Sequence, residues 1–403
     1  MSSPGWRRST PVYDVPVPRR KHVHPWLLTR QSRIAMFYRR PRRVVYYSDS
    51  QNDSSFRFRA YAMATALNEA DIDVSASWFY RADRQVLEDV FTHADVVVVH
   101  RSEYAAELDH LIGLARRRGI PVFFDCDDLV FDETAVPLIM RTLGQPLGHK
   151  ATGVDLWAIW YAMISRLAAT ARLCDSVIAT TDALADQARA VLGVPTSVIP
   201  NFMTEEEIVY SAAVVEARDS AGLRDGRLHL GYFSGSPSHI NDIAIAGEGL
   251  RAVLTRHPEV MVRIAGYMSV KDAGLERFKN RVEVVPFTDY VNLHRVIGET
   301  EVNIAPLQDN RFTRCKSELK WFDAGIVGIP TLASPTESMA AAVADGVDGL
   351  LVADHEWEDA LEAVITDYDG LGRRVGEKAK LVALERYHAQ ACVGSILTAL
   401  GLS

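Results

Sequence analysis

The sequence has little cysteine and no long apolar run. Cys126, Cys174, Cys315 and Cys392 lie far apart among 403 residues, with no Cys-x-x-Cys pair. In a chain of this length that excludes a disulfide framework and reads as reduced thiols of a cytosolic protein. No apolar stretch approaches the roughly 20 residues that span a bilayer. The opening MSSPGWRRSTPVYDVPVPRRKHVHP lacks the apolar segment of a signal peptide. No internal repeat recurs, which excludes a solenoid. A formal net charge of −8 excludes a protein that coats nucleic acid along its whole length.

What is present is ordinary globular composition, 48% hydrophobic and 24% charged, in a chain long enough for two large domains. Charge is uneven. Residues 1–45 hold eleven Lys or Arg and a single acid, Asp14. The proline-rich early part reads as disordered. The segment HPWLLTRQSRIAMFYRRPRR mixes Trp26, Leu27, Leu28, Ile34, Met36 and Phe37 with arginines. It reads either as a basic tail packing aromatics on the first domain or as an anchor on an anionic membrane face.

From Arg43 strands and helices alternate. RVVYYSD, IDVSASWF, DVVVVH, IPVFFDCDD, SVIATT and TSVIPN read as strands, separated by helical segments such as SEYAAELDHLIGLARRRG and DLWAIWYAMISRLAATARLC. Residues 137–153, with three Gly and two Pro, read as a loop, as do the charged residues 204–226. The scheme then restarts with LHLGYFSG, VMVRIAG, VEVVPF, VNIAPL, IPTLAS and GLLV as strands, a helix over 316–327, and helices to the end. Apolar strands separated by helices imply parallel sheets covered on both faces. The expected fold class is α/β, two doubly wound Rossmann-like domains facing each other across a cleft. The boundaries are a tail at 1–42, a first domain at 43–203, a second domain at 204–385, and a C-terminal helix at 386–403 packing back on the first domain. Ligands of such sheets bind beyond the carboxyl ends of the strands.

Two stretches suit a phosphate and a sugar. Gly235, Ser236 and His239 follow a strand at the entry to a helix, where anions are favoured, or form a plain capped turn. In CKSELKWFDAGIVGIPTLASPTE, Lys316 and Ser317 would open a helix whose positive end suits a diphosphate. Asp323 lies two turns on, on roughly the same face, and a carboxylate there accepts hydrogen bonds from sugar hydroxyls. The plainer alternative, ordinary surface charge, fits poorly with Leu319, Phe322, Ile326 and Val327 around them.

The second half resembles the retaining glycosyltransferases of family four, which have the GT-B fold. FDAGIVGIPTLASPTES, VADGVDGLLV, the strand before GSPSH, and VEVVPFTDYVNLHRVI match that family's donor-domain segments. In the first half RFRAYAMATALNEADIDV, and VVVVHRSEY followed by PVFFDCDDLVF, resemble a subgroup acting on bacterial polysaccharides. The resemblance covers residues 43–385. It implies that Asp323 binds the donor ribose, that Phe287 lies in the segment meeting the base, and that no metal or other cofactor is required beyond the nucleotide diphosphate-sugar substrate. The chain departs from the family at Cys315, where the first of two glutamates belongs. Asp309, Asn310 or Glu318 could replace that contact. GSPSHIND has no lysine, leaving the phosphate to Lys316 with Lys320 or Arg314.

On the acceptor side His100 and Arg101 end a strand beside the cleft, where His100 either meets substrate or is a satisfied structural histidine. Asp127 and Asp128 suit acceptor hydroxyls better than a metal, given that they lack partner histidines. Asp49, Arg57 and Arg59 are candidate contacts for an anionic acceptor, or a solvated face. Thr180 and Thr181 would face the same cleft, and Asn201 marks the hinge. The sequence thus reads as a cytoplasmic transferase, working at the inner membrane face if the tail anchors it. It would move a sugar from a nucleotide diphosphate-sugar to a saccharide or lipid-linked acceptor, with His100, Arg101 and Lys316 nearest the chemistry. The competing readings are a nucleotide-sugar epimerase on the same fold and a non-catalytic sugar- or partner-binding module, the latter favoured by Cys315.

Overall fold

In the computed structural model the described residues are 21, 23–49, 51, 54–145, 155–220, 226–235 and 240–403. All twelve strands read from the sequence form. β1 (Arg42–Ser48), β2 (Val74–Tyr80), β3 (Val96–His100), β4 (Val122–Asp125), β5 (Ser176–Ala179) and β6 (Thr196–Val198) make one six-stranded parallel sheet, ordered β2-β1-β3-β4-β5-β6. β7 (Leu228–Ser234), β8 (Val260–Gly266), β9 (Val282–Val285), β10 (Val302–Ala305), β11 (Thr331–Ala333) and β12 (Leu350–Leu351) make the second, ordered β12-β11-β10-β7-β8-β9. The central strands are apolar and buried on both faces. β3 is VVVVH, every residue buried, because helices cover it above and below. This is the two-domain Rossmann-like α/β fold expected.

Three segments differ from the reading. Residues 137–153 are not all loop: Val136–Thr142 is helical, with its proline near the N-terminus where no hydrogen bond is lost, while 146–154 lie outside the described residues. Residues 204–226 are not loop either: Glu205–Ser220 is a helix. Glu207 Oε2 accepts from both Thr204 N (2.9 Å) and Thr204 Oγ1 (2.8 Å), which satisfies the first turn. The helix expected over 316–327 is shorter, Leu319–Gly325, preceded by a separate turn of helix at Arg311–Arg314.

The final helix, Ala389–Ala399, and the residues after it pack on the first domain. Ile396, Leu400 and Leu402 share a core with Ala66 and Leu67, and Arg42 Nη1 donates to Leu402 O at 2.7 Å. The basic tail is part of the fold from His24 onward. Arg30–Phe37 is a helix, Phe37 is buried, and Arg33 Nη1 donates to Asp83 Oδ2 at 2.6 Å. Trp26 is buried, accepts from Trp78 Nε1 through its carbonyl, and packs on Phe56 of the first domain and Tyr290 of the second. Leu27 and Leu28 remain exposed. The early residues to Arg20 lie outside the described part. Truncating Trp26 removes a large buried ring, so Trp26→Ala should lower the unfolding free energy by about 3–5 kcal/mol in urea titrations. An unchanged midpoint would mean that the tail is not integral to the fold.

Candidate functional site

The carboxyl ends of β1, β3 and β4 face those of β7, β8 and β10 across a cavity of about 660 Å³. The first domain contributes Ser54, Arg57, Arg101, Asp127 and Asp128, and the second Gly235, Phe287, Lys316, Ser317, Lys320 and Asp323. Ten of the residues singled out in the sequence therefore meet in one space: Arg57, Arg101, Asp127, Asp128, Gly235, Phe287, Lys316, Ser317, Lys320 and Asp323. Ser236 and His239 lie outside the described residues.

The floor of the second domain depends on close backbone approach. Gly266, at the end of β8, has φ 118°, and a Cβ there would lie 1.9 Å from Ser234 O at the end of β7. Only glycine fits. Nearby, Phe287 is exposed and stacks on Tyr267, with ring centroids 5.1 Å apart, a flat surface that suits a planar ligand.

Lys316 does not open a helix. It sits in the turn between Arg311–Arg314 and Leu319–Gly325, its backbone N–H spent on Thr313 O. Its Nζ lies 3.3 Å from Asp128 Oδ1 of the other domain and 4.6 Å from the centre of the Phe312 ring. The freer cation is Lys320. Its stem is half-buried, but its Nζ is shielded from water and has no hydrogen-bond partner among the described residues. It rests 4.9 Å from the centre of the Tyr232 ring. Burial lowers its pKa to about 8, against the opposing pull of Asp242.

Asp323 lines the cavity and is 5% exposed. Its Oδ1 is 3.3 Å from His294 Nε2. Ser317 Oγ accepts from Asn201 Nδ2 at 3.2 Å, so Asn201, read as a hinge, is also a cavity residue. The candidates for the missing glutamate do not line the cavity. Glu318 is buried toward Tyr387 and Arg386, and burial raises its pKa. Asp309 is held by Arg314, whose guanidinium is thereby spent as well. Asn310 caps Arg311–Arg314. Cys315 is buried, its Sγ donates to Arg311 O, and burial pushes its thiol up to about 12.

The three acids of FDCDD do not converge. Asp125 accepts from Arg59 Nε (2.8 Å) and Nη2 (3.0 Å), Asp127 from Arg101 Nη1 (2.6 Å), and Asp128 faces Lys316. Burial alone would raise Asp127, but Arg101, His100 and the Ser55 hydroxyl hold it below the usual carboxylate range. Arg101 itself has φ 37°, a left-handed conformation that a non-glycine residue adopts at a cost. Arg59 is wholly buried and does not reach the cavity. It lies with Arg57 in a single π-helical turn, Arg57–Tyr61, where a widened turn redirects side chains. Arg57 Nη1 donates to Glu207 Oε1 at 2.8 Å, and its plane rests on Tyr290. Asp49 is taken up by Arg81 and the Glu103 N–H, away from the cavity.

His100 is also behind the wall. Ser55 has one hydroxyl hydrogen and gives it to Asp127 Oδ1 (2.7 Å), so it receives from His100 Nε2–H (2.8 Å). Ser48 then faces Nδ1 at 3.0 Å. Burial lowers this imidazole to about 3, so it is neutral across the physiological range. Thr181 caps its helix and donates to Cys315 O, and buried Thr180 is absent from the cavity wall.

The sequence reading missed the apolar side of the cavity, which includes Ile139, Leu143, Trp160, Met163 and Phe312. The crowded aromatics of LWAIWYAM were its signal. Comparison with known proteins fits this geometry. Residues 230–368 match the family described as Glycosyl transferases group 1. No curated protein matches the sequence. HepE from Anabaena, solved with UDP and glucose, is 14% identical, with a TM-score of 0.58 over 89% of this chain and 99% of that one. WaaG, a glycosyltransferase involved in lipopolysaccharide biosynthesis, is 12% identical, with a TM-score of 0.57 over 89% of this chain and 100% of that one. A glycosyltransferase from Rickettsia africae is 8% identical, with a TM-score of 0.59 over 89% and 98%. Residues 230–368, which carry most of the second sheet, thus match the glycosyl transferases group 1 model, and the chain as a whole has a GT-B fold.

Proposed function

We propose that this protein transfers a sugar from a nucleotide diphosphate-sugar to a hydroxyl of a saccharide or lipid-linked acceptor, with retention and without a metal. The observation that carries the reading is a buried, unpartnered ammonium, Lys320, in the same cavity as Asp323, inside a domain matching group 1 glycosyltransferases. Its neighbours in fold include a protein solved with UDP-glucose. The diphosphate would lie over Gly235, Lys320 and Ser317, the ribose at Asp323, and the base near Phe287. Lys316 joins the phosphate by exchanging Asp128 for it. These fixed cations oppose the charge that builds on the leaving diphosphate.

The domain division at 203/204 follows from the same reading, with the acceptor held by the first domain at Arg57, Arg101, Asp127 and Asp128. Asp127, held low by its neighbours, is a weak base. That suits a front-face displacement in which the leaving phosphate takes the acceptor proton. Retention and freedom from metal rest on the resemblance to family four. His100 moves from chemistry to support, since it orients Ser55 and through it Asp127.

If Lys320 binds phosphate as an ammonium, UDP affinity should be flat from about pH 7 to 8, above the second ionisation of the terminal phosphate at about pH 6, and weaken up to about tenfold per pH unit above that range. Lys320→Met should remove that dependence and weaken binding about 10–100-fold at pH 7, measured by calorimetry. Asp323→Ala should weaken binding comparably. Full affinity in both variants would overturn the site. The buried imidazole gives a separate test. Below pH 6.5 the unfolded chain protonates His100 while the folded protein resists down to about pH 3. Folding stability is thus whole above pH 6.5 and falls as the pH drops. Wild type should lose unfolding free energy faster than His100→Gln, by up to about 1.4 kcal/mol per pH unit. Parallel slopes in urea titrations across pH 6.5–4 would refute a neutral buried His100.

A further inference from the structure

We infer that His294 is a positioning residue for Asp323: it occupies one carboxylate oxygen, leaving the other for the hydroxyls of the donor ribose. The inference rests on the assignment of Asp323 to the ribose. Its evidence is a chain of hydrogen bonds behind the cavity wall. Ser211 Oγ lies 2.7 Å from Glu207 O, and a carbonyl only accepts, so the hydroxyl hydrogen is spent there. Ser211 Oγ is also 2.8 Å from His294 Nδ1. With its hydrogen spent, Ser211 accepts, and Nδ1 carries the proton. The tautomer is thereby fixed from the helix Glu205–Ser220.

The other nitrogen, Nε2, faces Asp323 Oδ1 at 3.3 Å. Two acceptors cannot meet unpaired in a buried site, so a single further proton is shared between Nε2 and Oδ1. His294 and Asp323 are only 1% and 5% exposed. Asp323 Oδ2 has no partner among the described residues, and Asp323 lines the cavity while His294 does not. The carboxylate is thus pinned at one oxygen and open at the other. A short acid pinned from behind presents a fixed acceptor, which saves the cost of ordering it when the ligand arrives. The same chain continues to Arg57, which pairs with Glu207, so both walls of the cavity are referred to one helix.

The test uses two isomeric polar replacements. The amide of His294→Gln reaches where Nε2 stood and donates to Asp323. The amide of His294→Asn reaches where Nδ1 stood and serves only Ser211. Affinities for UDP and 2′,3′-dideoxy-UDP are measured by calorimetry on the full chain, with GDP, ADP and their dideoxy analogues in parallel. Wild type should prefer the ribose form about tenfold or more, as expected for hydrogen bonds to a charged group. Asp323→Asn should reduce that preference to within about twofold. His294→Asn should do the same, and His294→Gln should keep most of it. If Asp323→Asn loses the preference but both histidine variants keep it, the positioning role is wrong and the ribose assignment stands. Loss in both histidine variants assigns His294 to packing alone and also overturns the inference. If Asp323→Asn keeps the preference, the ribose assignment fails first. Absence of binding by all three nucleotides to wild type removes the donor reading and this inference together.

Discussion

Arg59 organises the centre of the molecule. Its guanidinium is wholly buried and cannot shed its proton, so every donor must be answered in place. It spends two on Asp125 at the end of β4 and another on Ile199 O, with Asn201 Oδ1 at 3.3 Å. That fastens the last strand edge of the first sheet to the segment that crosses to the second. Asn201, held this way, donates to Ser317 on the far wall of the cavity. Losing either partner of such a pair leaves an uncompensated charge in the core, a penalty of about 3–5 kcal/mol. The geometry of the cleft is therefore tied to a structural ion pair that never touches the cavity.

The charges of the cleft follow from that arrangement. Asp125 is used up in holding Arg59, which leaves Asp127 and Asp128 to Arg101 and Lys316. The three acids of FDCDD are thereby divided between two settings: Asp125 is held in the core by Arg59, while Asp127 and Asp128 share Arg101 and Asp128 also meets Lys316. Lys320 alone among the cavity cations has neither a carboxylate nor a hydrogen bond among the described residues. Its lowered pKa follows from burial without a bonded anion beside it. An anionic ligand would find Lys320 without a bonded partner but would have to uncover its shielded Nζ, and would have to compete with Asp128 for Lys316.

How much of this the sequence revealed depends on the range of the interactions involved. The strands were legible because runs such as VVVVH and VMVRIAG carry their burial in composition alone. Lys316, Lys320 and Asp323 were legible because charge stood in an apolar setting. The helix Glu205–Ser220 was missed through its three leading glutamates, although Thr204 followed three positions later by Glu207 is a capping signal. Arg59 and His100 were misplaced for another reason. Strand-end position predicts nearness to the cleft, but whether a side chain faces it is decided by long-range partners, Asp125 and Asn201 for one and Ser48 and Ser55 for the other. His294, in an ordinary amphipathic helix, carried no local mark at all.

The contacts across the cleft are unequal in burial. Lys316–Asp128 is half-exposed, with Nζ and Oδ1 3.3 Å apart, and a contact of that kind is worth about 0–1 kcal/mol. Arg57–Glu207 is a buried ion pair with its acid 1% exposed. Of the two, the Lys316–Asp128 contact is the weaker tie between the halves. Ser211 sits on the same helix as Glu207, Glu205–Ser220. The hydrogen bonds behind Asp323 are therefore tied to the buried contact, while Lys316 belongs to the exposed one.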